Sequence, residues 1–337
     1  MVVYPVARAM RVFVYGSISY DRNEAARMEP IIAGGMPNVL RAMREILDEL
    51  DVLAEPEVVG IGFVGHTDVR AFNQAITDFG FSPQIKGVKG KTRTNRIVIS
   101  DDGTEVVLKG EHTFRVGPKH RAWLIRIVKS LRSGDLLVLT GSEPEYVGMT
   151  GSLYPLLIRL AHESGARVAF DAPPETIRQV FRGGDQSVEE LPDIFKCNRE
   201  ERDELTGALS RDTDEARVLD AQRFLPKGLF IASFGRTLVV RDGDAAAWRL
   251  DLTLPKRYPD LTHNGRGDSA MGGLIAAMIA GKSLLSCLKW AAAARMANTT
   301  TRIPGKFSGA RARTCRERID VTEIEVPEAQ DRVRQAS

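Results

Sequence analysis

The sequence has few cysteines, only three in 337 residues, and they are widely spaced with no CxxC pair. This excludes a disulfide framework and a zinc ribbon, and it indicates a reducing compartment, which we expect to be the cytoplasm. Long apolar runs are also missing, because no segment approaches the roughly 18 residues that a membrane span requires. Residues 1–10 are interrupted by Pro5 and Arg8, so they do not resemble a signal peptide. We therefore expect no membrane association.

An excess of charge of one sign is missing too. Lys and Arg number 47 against 44 Asp and Glu, a net charge of +3, which is too small in a chain of this length to indicate binding to nucleic acid. Hydrophobic residues make up 43% and charged residues 27% of the chain, as in ordinary globular proteins. The composition therefore leaves small-molecule chemistry as the main class of function to examine.

Short β-branched runs alternate with amphipathic stretches along the chain. This alternation is typical of an α/β fold with a doubly wound, mostly parallel sheet flanked by helices. The predicted strands are 11–15, 58–63, 136–140, 167–170, 229–232 and 238–240. The predicted helices are 38–50, 69–79, 154–164 and 268–280, the last two each followed by a glycine that would end the helix.

One region departs from this alternation. Between Gln84 and Val116, two strand-like runs flank the turn sequence Asp101-Asp102-Gly103, which predicts a β-hairpin. Since the hairpin would have little sheet to join, we expect a small β lid formed by residues 20–34 and 84–116. The predicted domain spans residues 1–326, and the polar segment 327–337 is predicted to be a disordered tail. A homodimer could cover the exposed lid edge.

Two motifs have simpler explanations than function. Gly60–Gly65 reads GxGxxG, the dinucleotide-binding fingerprint, but the acidic residue expected about 20 residues later is represented only by Asp78 at a helix end. We interpret these glycines as part of a strand and its turn, with an NAD enzyme as the alternative. Gly281–Ser283 resembles the end of a P-loop but lacks the earlier glycine, since position 276 is Ala. Gly281 is therefore predicted to end a helix.

The segment from Thr262 to Gly273 is more informative. Its glycines Gly265 and Gly267 precede a helix, so the backbone N–H groups of Gly265, Arg266 and Gly267 are predicted to form an anion hole for a phosphate. Asp268 would lie beside that anion, where a carboxylate could accept a proton from an attacking hydroxyl. Asp is also a common helix cap, so the residues alone leave both roles open.

Two further segments follow predicted strands. Asn198 and Glu201, three residues apart at a helix start, could hold a hydrated Mg²⁺ through their side-chain oxygens, although Asn-x-x-Glu is equally a helix-capping pattern. Ser233 and Gly235 follow the strand 229–232, where the carboxyl edge of a parallel sheet would receive a nucleotide.

In this order the segments resemble the PfkB, or ribokinase-like, family of carbohydrate kinases from about Arg11 to Val326. The resemblance rests on the Gly-x-Gly-Asp segment ending at Asp268 and on Asn198–Glu201. It implies the ribokinase-like fold, ATP and Mg²⁺ as cofactors, and phosphoryl transfer to a hydroxymethyl group of a sugar. It also implies a catalytic base and anion hole at 265–268, Mg²⁺ near Asn198 and Glu201 through water, and ATP beside Ser233 and Gly235. The acceptor would be oriented by Asp21, Gly35, Asn38 and Arg93.

Within the family, the segments 91–95, 139–144 and 154–160 resemble the branch of 1-phosphofructokinase and tagatose-6-phosphate kinase. This resemblance implies a sugar phosphate acceptor such as fructose 1-phosphate, fructose 6-phosphate or tagatose 6-phosphate. The role of binding the acceptor's phosphate then falls on Arg93, because a guanidinium makes bidentate contacts to phosphate. Arg27 is a candidate for a second contact, with a solvated surface charge as the favoured interpretation.

The sequence departs from the family pattern at several positions. Thr262 and His263 replace the usual Asp-Thr, Arg266 replaces a small residue, and Leu238 replaces a glycine. The segment Gly34-Gly35 followed by Asn38 resembles the family's first signature but is one residue short, with Pro37 before Asn38. Two alternatives therefore remain: a kinase for an unphosphorylated sugar or nucleoside, and a noncatalytic regulator that binds a sugar or nucleotide.

Overall fold

Apolar strands that alternate with helices define the fold. The structure, a computed structural model, describes residues 10–23, 29–52, 56–99, 105–181, 190–206, 213–220, 224–254 and 261–325. Its strands are β1 (Val12–Gly16), β2 (Ser19–Asn23), β3 (Ile31–Ala33), β4 (Val58–Gly65), β5 (Ser82–Val88), β6 (Thr94–Ile99), β7 (Glu105–Leu108), β8 (Leu136–Thr140), β9 (Arg167–Asp171), β10 (Ile194–Asn198), β11 (Leu229–Phe234), β12 (Thr237–Asp242), β13 (Ala246–Leu252) and β14 (Ile319–Ile324).

A large sheet contains ten of these strands, in the order β14-β13-β12-β11-β10-β9-β8-β1-β4-β5. The strands from β11 to β5 are all parallel to their neighbours, whereas β12, β13 and β14 extend the sheet by antiparallel pairing. The predicted α/β class with a mostly parallel sheet is therefore confirmed. Parallel strands place their carboxyl ends at one edge, where α/β proteins bind ligands.

The helices connect the strands and lie on both faces of the large sheet. They are the crossover connections that lead from one parallel strand to the next. The sheet therefore has an apolar core on each face: in β1, Val12 and Val14 belong to one core, and Phe13 and Tyr15 belong to the other. The helices are α1 (Gly35–Glu49), α2 (Val69–Asp78), α3 (Pro118–Lys129), α4 (Tyr154–Glu163), α5 (Pro174–Val180), α6 (Arg199–Thr206), α7 (Asp214–Asp220), α8 (Arg266–Ile279), α9 (Leu284–Asn298) and α10 (Gly309–Arg316).

The glycines of the GxGxxG sequence lie inside strand β4. A Cβ on Gly60 would lie 2.8 Å from Leu40 of α1, and a Cβ on Gly62 would lie 2.2 Å from Ile18. Their lack of a side chain thus allows close packing against the sheet. The interpretation as strand glycines is confirmed, and this segment gives the alternative of an NAD enzyme no support. Gly281 likewise follows the C-cap of α8 in the left-handed region, with φ of 65°.

Four strands form a separate small sheet in the order β3-β2-β6-β7. The predicted hairpin is present as antiparallel β6 and β7, with Ile97 opposite Val107. The predicted lid segment 84–116 begins too early, because residues 82–88 form β5 and pair with β4 in the large sheet. Strand β5 lies at the edge of the sheet, where Pro83 is tolerated, and its exposed residues Ser82, Gln84 and Lys86 alternate with more buried ones. Arg27, the turn 101–103 and the tail 327–337 lie outside the described residues.

A buried carboxylate stabilises the loop after β8. Glu143 accepts hydrogen bonds from the Tyr146 hydroxyl at 3.1 Å, from the Leu153 backbone N–H at 3.1 Å and from the Ser152 hydroxyl. The Tyr146 oxygen lies 2.7 Å from that of Tyr15 in the core. Burial raises the pKa of Glu143 to about 7, although the hydrogen bonds favour its charged form and lower the pKa in part.

We expect Glu143→Gln to stabilise the protein at alkaline pH. A folded-state pKa above the unfolded value means that the folded chain holds the proton more tightly, so stability is greatest below about pH 4.5 and is lost as pH rises through about 7. The full difference is about 3 kcal/mol, and an uncharged amide would avoid most of it. Urea unfolding at pH 5 and 8.5 should show a gain for the variant only at pH 8.5. The exposed neighbour Glu145→Gln is the control, and an equal gain at both pH values would contradict the prediction.

Candidate active site

A cavity of about 540 Å³ lies at the carboxyl ends of the parallel strands, between the large sheet and the small one. Ser233 of β11 and Asp171 of β9 line it from the large sheet, and Asp21 of β2 lines it from the small sheet. The cavity collects residues from distant parts of the chain because these strand ends share one edge. Of the predicted site residues, all except Gly235 line it: Asp21, Gly35, Asn38, Arg93, Asn198, Glu201, Ser233, Gly265, Arg266, Gly267 and Asp268.

The N-terminus of α8 opens onto this cavity. Gly265 is its N-cap with φ of 72°, a left-handed conformation that favours glycine, and a Cβ there would lie 2.5 Å from Pro304. The first N–H groups of a helix have no partner within it, and the helix dipole adds positive potential at this end. The end of α8 therefore has the donors that an anion hole needs. It begins at Arg266, two residues earlier than the sequence predicts.

Asp268 lies in the first turn of α8 and is held from two other elements. Its Oδ2 accepts a hydrogen bond from Asn38 Nδ2 at 2.9 Å, and its Oδ1 accepts one from the Thr140 hydroxyl at 3.4 Å. Burial and the negative charge of Asp171 raise the pKa of Asp268 to about 7. A carboxylate with this pKa can gain or lose a proton near neutral pH, as a general base must.

An ion pair that the sequence analysis missed lies next to the anion hole. Lys196 Nζ is 2.9 Å from Asp171 Oδ2, and both side chains are buried. A Cβ on Gly267 would lie 2.8 Å from the same Nζ, so the ammonium group lies directly beside the backbone of the anion hole. Burial lowers the pKa of Lys196, but the carboxylates of Asp171 and Glu201 raise it by more. Lys196 is therefore positioned as a cation beside any bound phosphate.

The chain is similar to known proteins over most of its length. A model of the pfkB family of carbohydrate kinases matches residues 11–305. The chain belongs to the pfkB family of carbohydrate kinases.

Solved structures show the same fold. A protein named as a possible 1-phosphofructokinase from Thermotoga maritima is 17% identical, with a TM-score of 0.75 over 94% of this chain and 100% of that chain. Phosphofructokinase-2 from Escherichia coli in complex with substrates and products is 18% identical, with a TM-score of 0.73 over 91% and 99%. The tetrameric inhibited form of that enzyme is 18% identical, with a TM-score of 0.71 over 92% and 99%. At these identities the likeness concerns the fold.

In this pfkB kinase, Asn198 and Glu201 form a helix-capping box at the start of α6. The Asn198 N–H donates to Glu201 Oε2 at 2.7 Å, and the Glu201 N–H donates to Asn198 Oδ1 at 3.0 Å. Burial raises the pKa of Glu201, and the nearby Asp171 and Asp268 carboxylates raise it further. Both residues also line the cavity. The capping interpretation is confirmed, and the box leaves one further side-chain polar atom of each residue for another ligand.

At the other end of the cavity, Asp21 is held by two amides. Its Oδ1 accepts from Asn95 Nδ2 at 2.8 Å and its Oδ2 from Asn264 Nδ2 at 3.1 Å. Arg93 lies in the same wall, and its Nε is buried without a hydrogen-bond partner. Burial lowers the pKa of Arg93, partly offset by Asp21. His112 accepts the Arg93 N–H at 3.3 Å but adds no charge at neutral pH, because burial and Arg93 lower its pKa to about 4.

The residues that depart from the family pattern lie in the loop before α8, in the core and in the cavity wall. The Thr262 hydroxyl donates to Glu105 Oε2 at 2.5 Å, so it connects the loop before α8 to strand β7 of the small sheet. Leu238 is fully buried in the core. Gly235 is exposed and does not line the cavity, and its carbonyl accepts a hydrogen bond from Arg295 Nη2 at 2.9 Å. Arg266 itself lines the cavity.

The residues that the sequence analysis missed are those without a local pattern. Thr140 ends β8, Asp171 ends β9, and Arg295 lies in α9, which was not predicted. Among these missed residues, Lys196 could have been recognised from the sequence, because it lies two residues before the Asn198–Glu201 motif. Asn38, predicted to contact the sugar, also holds Asp268.

Proposed function

We propose that this carbohydrate kinase transfers the terminal phosphoryl group of ATP to a hydroxymethyl group of a sugar phosphate. Fructose 1-phosphate, fructose 6-phosphate and tagatose 6-phosphate are the acceptors to examine. The observation that supports a phosphorylated acceptor is the Arg93 guanidinium, which lines the cavity near Asp21 and has its Nε buried without a partner. Such a cation favours a phosphate, which it can bind through two parallel hydrogen bonds.

In the proposed reaction, Asp268 accepts the proton of the attacking hydroxyl group. Asn38 and Thr140 orient its carboxylate by the hydrogen bonds described above. The N–H groups at Gly265, Arg266 and Gly267 stabilise the charge on the transferring phosphoryl group. Lys196, beside Gly267, adds a positive charge to the same place. Asp21 is placed to accept hydrogen bonds from sugar hydroxyls. Gly35 also lines the cavity, and its lack of a side chain allows its backbone to pack against Thr140.

The residues at the start of α6 fit Mg²⁺. Glu201 Oε1, which lies outside the capping box, and the second lone pair of Asn198 Oδ1 are oxygen donors of the kind that this ion takes, and a cation would relieve the repulsion among Glu201, Asp171 and Asp268. No group of three or more His, Cys, Asp or Glu side chains converges on a metal position in the described ranges. We propose that the ion is held partly through water. When bound, Mg²⁺ neutralises phosphate charge. Ser233, whose hydroxyl donates to the Cys197 carbonyl at 3.2 Å, and Gly235 would border the nucleotide.

The test is Mg²⁺-dependent ADP release from ATP over a panel of sugars, sugar phosphates and nucleosides. We expect turnover with a sugar phosphate, and Arg93→Met should raise the KM of that acceptor by about 10- to 100-fold, the value of a charge-assisted hydrogen bond. Lys91→Met is the matched control, since Lys91 is exposed two residues away. Turnover of an unphosphorylated sugar or nucleoside that Arg93→Met leaves unchanged would favour the alternative kinase. ATP binding with no turnover on any acceptor would favour a regulator.

Assembly and location remain predictions. Strand β7 is an edge of the small sheet and exposes Val106 and Leu108, which would suit the proposed homodimer. No helix in the described part of the chain is long and apolar enough to cross a membrane. The cytoplasmic location proposed from cysteine usage is consistent with three described cysteines that are free and buried.

A further inference from the structure

A buried arginine in the cavity wall has no role in the reaction described so far. Arg295 lies in α9, and only 7% of its surface is exposed. Its Nη2 donates to the Gly235 carbonyl, while its Nε is buried without a hydrogen-bond partner. It forms no ion pair with any carboxylate in the part of the chain that the structure describes. Arg295 is thus a largely unsatisfied cation that faces the cavity.

The surroundings of Arg295 add positive rather than negative charge. Burial lowers its pKa to about 10, and the charge of Arg266 lowers it further, so the guanidinium stays protonated at neutral pH. A buried charge without a counter-ion is unfavourable, and a second cation nearby makes it more so. An anion bound between them would remove both penalties. Arg266, at the anion hole, and Arg295 both line the cavity, so such an anion has access.

The position of Arg295 favours the phosphoryl donor over the acceptor. Its anchor, Gly235, lies in the turn between β11 and β12, two residues after Ser233, whereas the acceptor residue Asp21 lies in β2 of the small sheet and Arg93 directly precedes β6 of that sheet. The N–H groups of the anion hole would hold the transferred phosphoryl group next to Asp268. The next anions available at this end are therefore the phosphates of the donor that are not transferred.

We propose that Arg295 binds a non-transferred phosphate of the donor. This inference rests on the proposed function, since it assigns a residue to the donor of that reaction. It follows that Arg295 contributes to the affinity for the donor's polyphosphate chain and not to the affinity for its nucleoside. A guanidinium suits this role because its planar donors match phosphate oxygens.

Equilibrium binding tests the proposal without turnover. The probes are inorganic tripolyphosphate, ADP and adenosine, each with Mg²⁺, measured by calorimetry on the full chain. Arg295→Met should raise the Kd of tripolyphosphate and ADP by about 10- to 100-fold, as loss of a charge-assisted hydrogen bond predicts, and leave that of adenosine unchanged. Arg295→Lys should recover part of the affinity, because it keeps the charge. Lys289→Met, which removes a charge from the same helix outside the cavity, should change none of the three.

Several outcomes would overturn the assignment. Equal Kd values for tripolyphosphate in the wild type and Arg295→Met would do so, as would no binding of tripolyphosphate by the wild type. Equal losses for adenosine and tripolyphosphate, with a lower melting temperature, would show that Arg295 only supports the Gly235 turn. If tripolyphosphate binding depends on Arg295 but no acceptor releases ADP, the proposal for Arg295 is supported and the kinase reaction fails independently.

Discussion

The variant Asp268→Asn should lower kcat by about 10²- to 10⁴-fold, the typical contribution of a general base. Asparagine has nearly the same shape as aspartate but cannot accept the proton of the attacking hydroxyl group. The amide oxygen of asparagine can still accept the hydrogen bond from Asn38, and its N–H can donate to the Thr140 hydroxyl oxygen, so the substitution changes the chemistry of this position more than its structure. ADP binding should be unchanged, and measuring it shows that the variant is folded.

The same residue predicts a pH dependence. Burial and the charge of Asp171 raise the pKa of Asp268 to about 7. Because a base must be deprotonated to act, kcat/KM of the wild type should fall as the pH is lowered through about 7. The residual activity of Asp268→Asn should lose this dependence. A variant that keeps activity within a few-fold of the wild type, or that keeps the same pH profile, would show that the base lies elsewhere.

The parts of the fold that were predicted are those where burial is one-sided or where strands are fully apolar. The predicted bounds of strand β8, 136–140, are those observed, because a short run of five apolar or β-branched residues indicates a buried strand. Helix α9 was missed for the opposite reason. Its residues from Trp290 to Asn298 are all buried, so the alanine-rich segment shows no polar face and no helical period.

The candidate site divides in the same way. The glycines at 265 and 267 and Asp268 could be recognised because the chemistry of an anion hole is local to one loop and one helix start. The ion pair of Asp171 and Lys196 could not, since its partners are 25 residues apart in the sequence and each belongs to an ordinary strand. Only the parallel pairing of β9 with β10 brings them together. The raised pKa of Asp268 was equally invisible, because it depends on burial and on a charge from another strand.

Breaking that ion pair should have the second large effect. Lys196→Met leaves the Asp171 carboxylate buried without its cation, which costs about 3–5 kcal/mol in the free energy of unfolding when one partner of a buried pair is removed. Activity should fall by more than about 10²-fold, for two reasons. The anion hole loses its neighbouring positive charge, and the pKa of Asp268 rises further because Lys196 no longer lowers it.

The double variant Lys196→Met/Asp171→Asn separates the two effects. Asparagine removes the uncompensated charge, so the free energy of unfolding, measured with urea, should return to within about 1–2 kcal/mol of the wild type. Turnover should stay low, because the cation beside Gly267 is still missing. The exposed pair Arg115–Glu145 is the control, since Arg115→Met should change stability by less than about 1 kcal/mol. A double variant as unstable as Lys196→Met alone would mean that lost packing, and not an isolated carboxylate, causes the destabilisation.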